Sequence, residues 1–161
     1  MSTFVKHSIQ QSERSVRGGV PAKAKTQAHV LVIDDSDIAR AAIAGMLEDE
    51  FEVFDQPSAI GATRAIREHN IRAVVVDISM PGLSGDKLLG VLRKNQRLNG
   101  LVVVVVSARS TEELEAMTEL SAADAVLSKD GLDQALARTL TRLLRASNFQ
   151  PSGHFVMAEE K

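Results

Sequence analysis

Polar side chains follow four apolar runs of this sequence, and their chemical types could act together at one site. Asp34 and Asp35 follow the first run, and Asp77 follows the second. Ser107 follows the third run, and Lys129 lies two residues beyond the fourth. Three carboxylates brought close repel each other, and a hard divalent cation relieves that repulsion. Mg²⁺ suits such a set because it takes oxygen ligands and needs only one or two carboxylates beside a phosphate.

The same residues provide the parts of a phosphoryl-transfer site. Asp77 could attack phosphorus as a nucleophile and form an acyl phosphate. Phosphoryl transfer depends mainly on in-line positioning and on neutralisation of charge. Lys129 offers a point charge for one phosphoryl oxygen, and the Ser107 hydroxyl offers a donor for another. The residue types therefore predict a Mg²⁺-assisted phosphoacceptor site.

The elements that position these residues follow from the apolar pattern. The four runs are continuous, rich in valine and typical of parallel strands covered on both faces. A fifth segment, residues 51–54, alternates between polar and apolar side chains, which places it at a sheet edge. Carboxyl ends of parallel strands meet at one edge of the sheet, so the polar residues converge there. The four predicted strands are residues 30–33, 73–76, 101–106 and 125–127.

Helical patterns separate these strands and predict a doubly wound α/β sheet with helices on both faces. The fourth pattern opens with a capping box at residues 110–113. The predicted helices are residues 36–48, 58–69, 85–95, 110–120 and 131–146. Four of them have a predicted core-facing stripe: Ile38, Ala42 and Met46; Ala59, Ala62, Ala65 and Ile66; Leu88, Leu89 and Leu92; and Leu132, Leu136, Leu140 and Leu143.

Length and charge indicate one domain with a tail at each end. The chain has 161 residues, no cysteine and a net charge of −2, so disulfides and thiolate metal sites are excluded. Residues 1–28 have five basic and one acidic residue, and we expect a flexible basic tail there. Residues 147–161 are the second expected flexible tail. The remainder is acidic, which argues against direct DNA binding, and no membrane-spanning run or secretory signal is visible, which favours the cytoplasm.

Two segments and two intervals are similar to those of a known family. The segment HVLVIDDS at residues 29–36 is similar to the first strand of that family with its acidic pair. The segment VDISMPGLSG at residues 76–85 is similar to the phosphorylation loop of the same family. The intervals from Asp77 to Ser107 and from Ser107 to Lys129 also fit. Together and in this order, these pieces make residues 29–146 resemble the receiver domain of two-component response regulators.

This resemblance implies a flavodoxin-like (βα)5 fold with five parallel strands in the order 2-1-3-4-5. It implies that Asp77 is the phosphoacceptor and that Asp34 and Asp35 bind Mg²⁺ together with Asp77. The backbone carbonyl of Ser79 would complete the metal shell. Ser107 and Lys129 would bind the phosphoryl group.

The resemblance also implies the kind of partner. The phosphodonor would be a histidine kinase or a phosphotransfer protein, and the chain would be a switch rather than an enzyme. About 15 residues follow the last predicted helix, too few for a DNA-binding output domain. We therefore expect the output to be a contact with a downstream protein target in trans, through the fourth helix, the fifth strand and the fifth helix.

Two positions depart from the family pattern. Asp130 follows Lys129 where the family usually has proline, and Val126 stands where the family often has Tyr or Phe. That aromatic residue commonly reports phosphorylation, so its replacement puts the readout in question. These departures favour an alternative function, a receiver fold that binds its partner independently of phosphorylation.

Other interpretations remain open from the residues alone. A Mg²⁺-dependent phosphatase with an aspartate nucleophile is disfavoured, because Ser79 stands where such enzymes have a second acid. The acidic pair could cap the next helix, and Asp77 could belong to a turn before Pro81. Ser107 could cap a helix, and Lys129 could be a solvated charge. The basic stripe of the last helix is best interpreted as a solvated face; it consists of Arg138, Arg142 and Arg145.

Overall fold

Strands and helices alternate along the chain in the computed structural model, which describes residues 28–149. The strands are β1 (His29–Ile33), β2 (Glu52–Gln56), β3 (Ile71–Asp77), β4 (Val102–Ser107) and β5 (Ala125–Ser128). The helices are α1 (Asp37–Leu47), α2 (Ala62–Glu68), α3 (Gly85–Lys94), α4 (Thr111–Glu115) and α5 (Leu132–Ala146). Short 3-10 turns at Gln96–Leu98 and Thr118–Ala122 precede β4 and β5.

The strands form one parallel sheet in the order β2-β1-β3-β4-β5. This confirms the predicted flavodoxin-like order, including the edge position of β2. The four side chains Val30–Ile33 of β1 are fully buried, as are those of β4, because helices cover both faces. The run in β5 was predicted to be buried on both faces, but it is half-buried because β5 is the other edge strand.

Two apolar cores lie on opposite faces of the sheet. One contains side chains of α2, α3 and α4, with Ile66 and Leu88 fully buried in it. The other contains side chains of α1 and α5, with Leu47 and Leu136 fully buried in it. Helices on both faces were predicted and are confirmed. Burial of a leucine or isoleucine side chain contributes about 1.5–3 kcal/mol, so these cores fix the loops at the strand ends.

The predicted buried stripe of α1 was wrong at two of its three residues, whereas Met46 is partly buried against the core. Ile38 is 86% exposed, and Ala42 is exposed as well. The buried side chains of α1 are Ile43, Ala44 and Leu47. Apolar residues surround most of this helix, so their spacing does not select one face. Arg40, which precedes Ile43 by three positions, lies on the same side of the helix and contacts Asp55 in β2 and the Asp34 carbonyl after β1.

The fourth predicted helix is shorter than expected. Its capping box is present, with Ser110 and Glu113 exchanging hydrogen bonds, but α4 ends at Glu115 and a 3-10 turn follows. Leu114 and Leu120 are both buried in the same core. Because Leu114 and Leu120 are six positions apart, a continuous helix would turn them about 240° away from each other, toward different faces. The break lets both side chains reach the core.

Two other predicted details shift, and two predicted stripes are confirmed. The second helix begins at Ala62 rather than residue 58, after Gly61 with φ +81°. In α5 the fourth buried position is Leu144, and Leu143 is only partly buried. The stripes predicted for α2 and α3 are confirmed, because every residue named for them is buried.

The segment after α5 packs against the domain. Phe149 is buried against the core that covers α2 and α3, and the Ser147 hydroxyl donates to the Gly100 carbonyl at 2.6 Å. The folded domain therefore extends to Phe149, three residues into the expected carboxyl-terminal tail. Ala28, the last residue of the expected amino-terminal tail, is also buried in the core. Residues 1–27 and the rest of the carboxyl-terminal tail lie outside the described residues. Within residues 28–149, no helix is long and apolar enough to cross a membrane; the location of the protein stays a prediction.

Candidate functional site

The predicted site residues meet at the carboxyl edge of the sheet. Asp34 directly follows β1, and Asp77 and Ser107 end β3 and β4. Lys129 follows β5, and its backbone N–H donates to the Ser107 carbonyl at 2.7 Å. The register pairs Asp77 with Val106, next to Ser107. A parallel sheet brings these ends together because all five strands run in one direction.

Three carboxylates form the centre of the site. One carboxylate oxygen each from Asp34, Asp35 and Asp77 lies within 4.8 Å of the others. Asp34 is 0% exposed and Asp77 is 5% exposed, whereas Asp35 lies at the exposed rim. Like charges this close, with two of them buried, are costly without a cation. The donors are all oxygen, and one side is open to water, so the residues fit Mg²⁺.

Backbone amides orient the two buried carboxylates. The Ser36 N–H donates to Asp34 Oδ1 at 2.9 Å, and the Ser79 N–H donates to Asp77 Oδ1 at 3.1 Å. Each contact closes a short loop directly after its strand, which is why an aspartate fits there. The remaining oxygens, both Oδ2, face the Lys129 ammonium.

Lys129 bridges the buried pair. Its Nζ lies 2.9 Å from Asp34 Oδ2 and 3.6 Å from Asp77 Oδ2. Burial by itself would lower the pKa of Lys129, but the hydrogen bond to Asp34 and the charges of Asp77 and Asp34 together raise it above its ordinary value. Lys129 is therefore a cation at neutral pH, held between the two buried carboxylates.

Ser107 and Ser79 occupy different positions at the site. Ser107 is fully buried, and its Oγ accepts the Arg109 N–H at 3.1 Å. Its hydroxyl hydrogen is thereby left to donate to another group. Ser79 is exposed and contacts Asp77 through its amide. The predicted role of the Ser79 carbonyl as a metal ligand stays a prediction.

The start of α3 presses against the acceptor strand. A Cβ on Gly85 would lie 2.6 Å from the Asp77 carbonyl oxygen and 2.8 Å from the Ile78 Cα. Only glycine permits this approach of two backbone segments. The position of the Asp77 backbone therefore depends on Gly85 as well as on the sheet.

The sequence reasoning missed Arg40. Its Nη1 donates to the Asp34 carbonyl at 2.9 Å, and its Nε and Nη2 each contact a carboxylate at 2.6 Å, in Asp55 and Asp37. A signal was present in the sequence, since Arg40, Ile43, Ala44 and Leu47 share one helical stripe.

The comparisons with known proteins agree with this geometry. Residues 30–141 match the family model described as the response regulator receiver domain. The chain belongs to the receiver-domain family. Receiver domains are the phosphoacceptor switches of two-component signal transduction and bind Mg²⁺ at an acidic pocket. In this receiver domain the carboxylates of Asp34, Asp35 and Asp77 form an acidic cluster.

Relatives with known names belong to two-component systems. The two-component response regulator ORR5 of Oryza sativa subsp. japonica is 31% identical over 132 residues, covering 80% of this chain and 92% of that protein. The transcriptional regulatory protein KdpE of Mycobacterium tuberculosis strain H37Rv is 36% identical over 112 residues, covering 68% of this chain and 48% of that protein. The response regulator TrrA from Thermotoga maritima, solved in complex with Mg²⁺–BeF, has a TM-score of 0.65 and 25% identity, covering 73% of this chain and 99% of its own.

Both departures from the family pattern have visible structural consequences in this receiver domain. The Asp130 N–H donates to the Ser128 Oγ at 3.2 Å, a hydrogen bond that proline could not make. All peptide bonds between residues 28 and 149 are trans. Val126 is half-buried and lines a groove of about 560 Å³ between α4 and β5, together with Leu114 and Met117.

Proposed function

We propose that this receiver domain accepts a phosphoryl group on Asp77 from a histidine kinase or a phosphotransfer protein. Asp34, Asp35, Asp77 and the Ser79 carbonyl would hold Mg²⁺, and the modification would switch a contact with a protein target in trans. The observation that carries the proposal is the carboxylate cluster within 4.8 Å, with Lys129 bridging its two buried members.

The residues of the chain divide the work of the transfer. A carboxylate oxygen of Asp77 forms the new bond to phosphorus, and the bond from phosphorus to the donor nitrogen breaks with its electron pair staying on nitrogen. Lys129 and the Ser107 hydroxyl bind two of the phosphoryl oxygens as negative charge moves onto this edge. Mg²⁺, when bound, neutralises charge on the phosphoryl group and the carboxylates. The Ser79 amide donates to Asp77 Oδ1 and helps to orient the carboxylate.

A small phosphodonor tests the acceptor directly. The protein is incubated with acetyl phosphate or phosphoramidate, with and without Mg²⁺, and its intact mass is recorded. We expect one phosphoryl adduct that requires Mg²⁺ and is absent in Asp77→Ala. Asp49→Ala, an exposed acid after α1, is the matched control and should still form the adduct. Labelling of Asp77→Ala would show that the acceptor lies elsewhere. Intact mass is the suitable readout because the chain has no tryptophan.

The donor is the next part of the proposal. One similar solved structure is a complex of the response regulator TrrA with the histidine kinase ThkA. This complex supports a kinase as the natural donor. The kinase of this chain, its protein target and the expected absence of direct DNA binding stay predictions. Receiver domains are in general switches rather than enzymes, and multiple turnover on a phosphate ester would contradict that assignment for this chain.

A phosphorylation-independent binding module is the second candidate function. Val126 favours it, because it stands where the family often has the aromatic residue that reports phosphorylation, and it lines the groove beside α4 and β5. This candidate predicts no adduct with either small donor in folded protein, and partner binding that Asp77→Asn does not change. An affinity that rises or falls with phosphorylation would contradict it.

A further inference from the structure

Arg40 joins three parts of the molecule beside the carboxylate cluster. Its guanidinium contacts the Asp34 carbonyl at the end of β1, the Asp55 carboxylate in β2 and the Asp37 carboxylate in α1. We propose that Arg40 is a positioning residue that fixes the Asp34–Asp35 peptide and thereby sets the affinity of the cluster for a divalent cation. The inference rests on the proposed function of the same site.

The contact with the Asp34 carbonyl matters because this carbonyl belongs to the peptide group that joins Asp34 to Asp35. The Asp34 side chain is already held by the Ser36 amide and by Lys129. Asp35 is exposed, so burial does not hold its carboxylate in place. The direction of the Asp35 side chain therefore depends on the plane of the peptide that links the two aspartates. Arg40 Nη1, 2.9 Å from the carbonyl oxygen of that peptide, fixes the plane.

The charge of Arg40 does not oppose cation binding strongly, because two carboxylates balance it. Asp55 and Asp37 each lie 2.6 Å from a guanidinium nitrogen. Burial lowers the pKa of Arg40, but the hydrogen bonds and charges of Asp55 and Asp37 outweigh it and raise the pKa above its ordinary value. The planar guanidinium can make all three contacts at once, which an ammonium cannot do in the same geometry.

Arg93 provides a matched control at the other edge of the sheet. Its guanidinium also makes three contacts, to the Ala122 carbonyl, the Leu101 carbonyl and the Asp124 carboxylate, at 2.7–2.8 Å. The Arg93 side chain is 26% exposed and that of Arg40 is 14% exposed. If both arginines only stabilise the fold, replacing either one should lower the free energy of unfolding by a similar amount. Only Arg40 contacts a residue of the carboxylate cluster.

The test compares Arg40→Gln with Arg93→Gln in the full chain, without a phosphodonor. Binding of Mn²⁺, used as a paramagnetic substitute for Mg²⁺, is measured from the EPR signal of the free ion, with Mg²⁺ competition. We expect Arg40→Gln to weaken Mn²⁺ binding by about tenfold, as removal of groups that orient metal ligands does. Arg93→Gln should keep the wild-type affinity, and urea unfolding should show a similar loss of stability in both variants.

Kinetics provide a second readout that a structural role would not change selectively. In Arg40→Gln the Mg²⁺ concentration for half-maximal phosphorylation should rise by about tenfold, while the rate at saturating Mg²⁺ stays near that of the wild type. Arg40→Lys should fall between the two, since a lysine can reach the Asp34 carbonyl but not all three acceptors.

The outcomes separate this inference from the proposed function. Equal Mn²⁺ affinity in wild type and Arg40→Gln, or an equal loss in both arginine variants, overturns the role of Arg40 alone. A wild-type protein that binds no divalent cation and forms no adduct overturns the proposed function, and the role of Arg40 with it.

Discussion

The two ends of the strands, called here the amino edge and the carboxyl edge of the sheet, differ in the charges placed around their polar groups. At the amino edge, Arg72 at the start of β3 donates to three carbonyls after and within the end of α5, at 3.2–3.3 Å. Arg93 likewise donates to the Leu101 carbonyl, directly before β4. At the carboxyl edge, three carboxylates crowd together, and Lys129 is the cation that bridges the buried two.

This difference separates contacts whose contribution to stability is independent of bound cations from a cluster whose contribution should depend on them. A cation that binds otherwise unpartnered carbonyls removes a desolvation cost and stabilises the fold. A cluster of like charges raises the free energy of the folded state until a cation or a phosphoryl group changes the balance of charge. The amino edge should therefore be indifferent to Mg²⁺, and the carboxyl edge should respond to it.

The largest expected change in the free energy of unfolding comes from replacing Lys129, the cation at the carboxyl edge. Lys129→Met leaves the fully buried Asp34 carboxylate without its ion-pair partner, and we expect the free energy of unfolding to fall by about 3 kcal/mol. Saturating Mg²⁺ should restore part of that loss. Urea unfolding followed by circular dichroism, with and without Mg²⁺, measures both quantities.

Arg72→Met is the counterpart at the amino edge. It should lower the free energy of unfolding by about 1–2 kcal/mol, because three carbonyls lose their donor. Mg²⁺ should restore none of that loss. Restoration of both variants by Mg²⁺ to the same extent would contradict the contrast between the edges.

A second effect comes from adding a methyl group at the acceptor strand. Gly85→Ala would place a Cβ 2.6 Å from the Asp77 carbonyl oxygen, so α3 must shift. We expect a loss of about 2 kcal/mol in the free energy of unfolding, together with slower phosphorylation. In the control, Gly90→Ala, no atom lies within 4 Å of the new Cβ, and a gain of about 0.5–1 kcal/mol is expected from helix propensity. Equal effects at the two glycines would show that Gly85 has no special contact.

A smaller effect comes from removing the exposed member of the cluster. Asp35→Asn relieves repulsion with Asp34 and Asp77, so the free energy of unfolding without Mg²⁺ should rise, by less than about 1 kcal/mol. The stabilisation that Mg²⁺ gives the wild type should disappear. Thermal unfolding over a series of Mg²⁺ concentrations measures this. The control is Asp49→Asn, which should keep the Mg²⁺ response; a retained response in Asp35→Asn would remove Asp35 from the metal shell.

The smallest effect is the dependence on alkaline pH. The pKa of Lys129 is raised in the folded protein, so its contribution to stability is fully present below the pKa of an unfolded lysine, about 10.4. The contribution is lost as the pH rises through the higher folded-state pKa. The difference in unfolding free energy between wild type and Lys129→Met should therefore be constant from neutral pH to about pH 10 and decrease above it. A difference that does not decrease as the pH rises above about 10 would mean that the pKa of Lys129 is not raised.

The site was the part of the molecule easiest to predict from sequence. Continuous valine-rich runs indicate parallel strands, and parallel strands place Asp34, Asp77 and Ser107 at one edge whatever the details of the helices. The position of Lys129 follows in the same way. The chemical roles of these residues remain predictions, because the structure shows where they lie and not what they do.

Helix faces were harder to predict, because short-range patterns do not contain the competing contact. In α1 the stripe with Ile38 and the stripe with Ile43 are both helical, and only the packed structure shows that Ile43 and Leu47 enter the core. In α4 the helix ends early because Leu114 and Leu120 enter the same core. Phe149 was assigned to a tail, yet it fills a place beside that core.

The sequence by itself determined the order of strands and helices, the parallel sheet and the edge at which three acids, a hydroxyl and an ammonium meet. Those features depend on local periodicity and on the single direction of parallel strands. Only the tertiary structure decided which face of α1 is buried, that Arg40 contacts the Asp34–Asp35 peptide, and that Gly85 lies against Asp77. These depend on contacts between residues that are distant in the chain, and such contacts form only when the packed elements exclude every other arrangement.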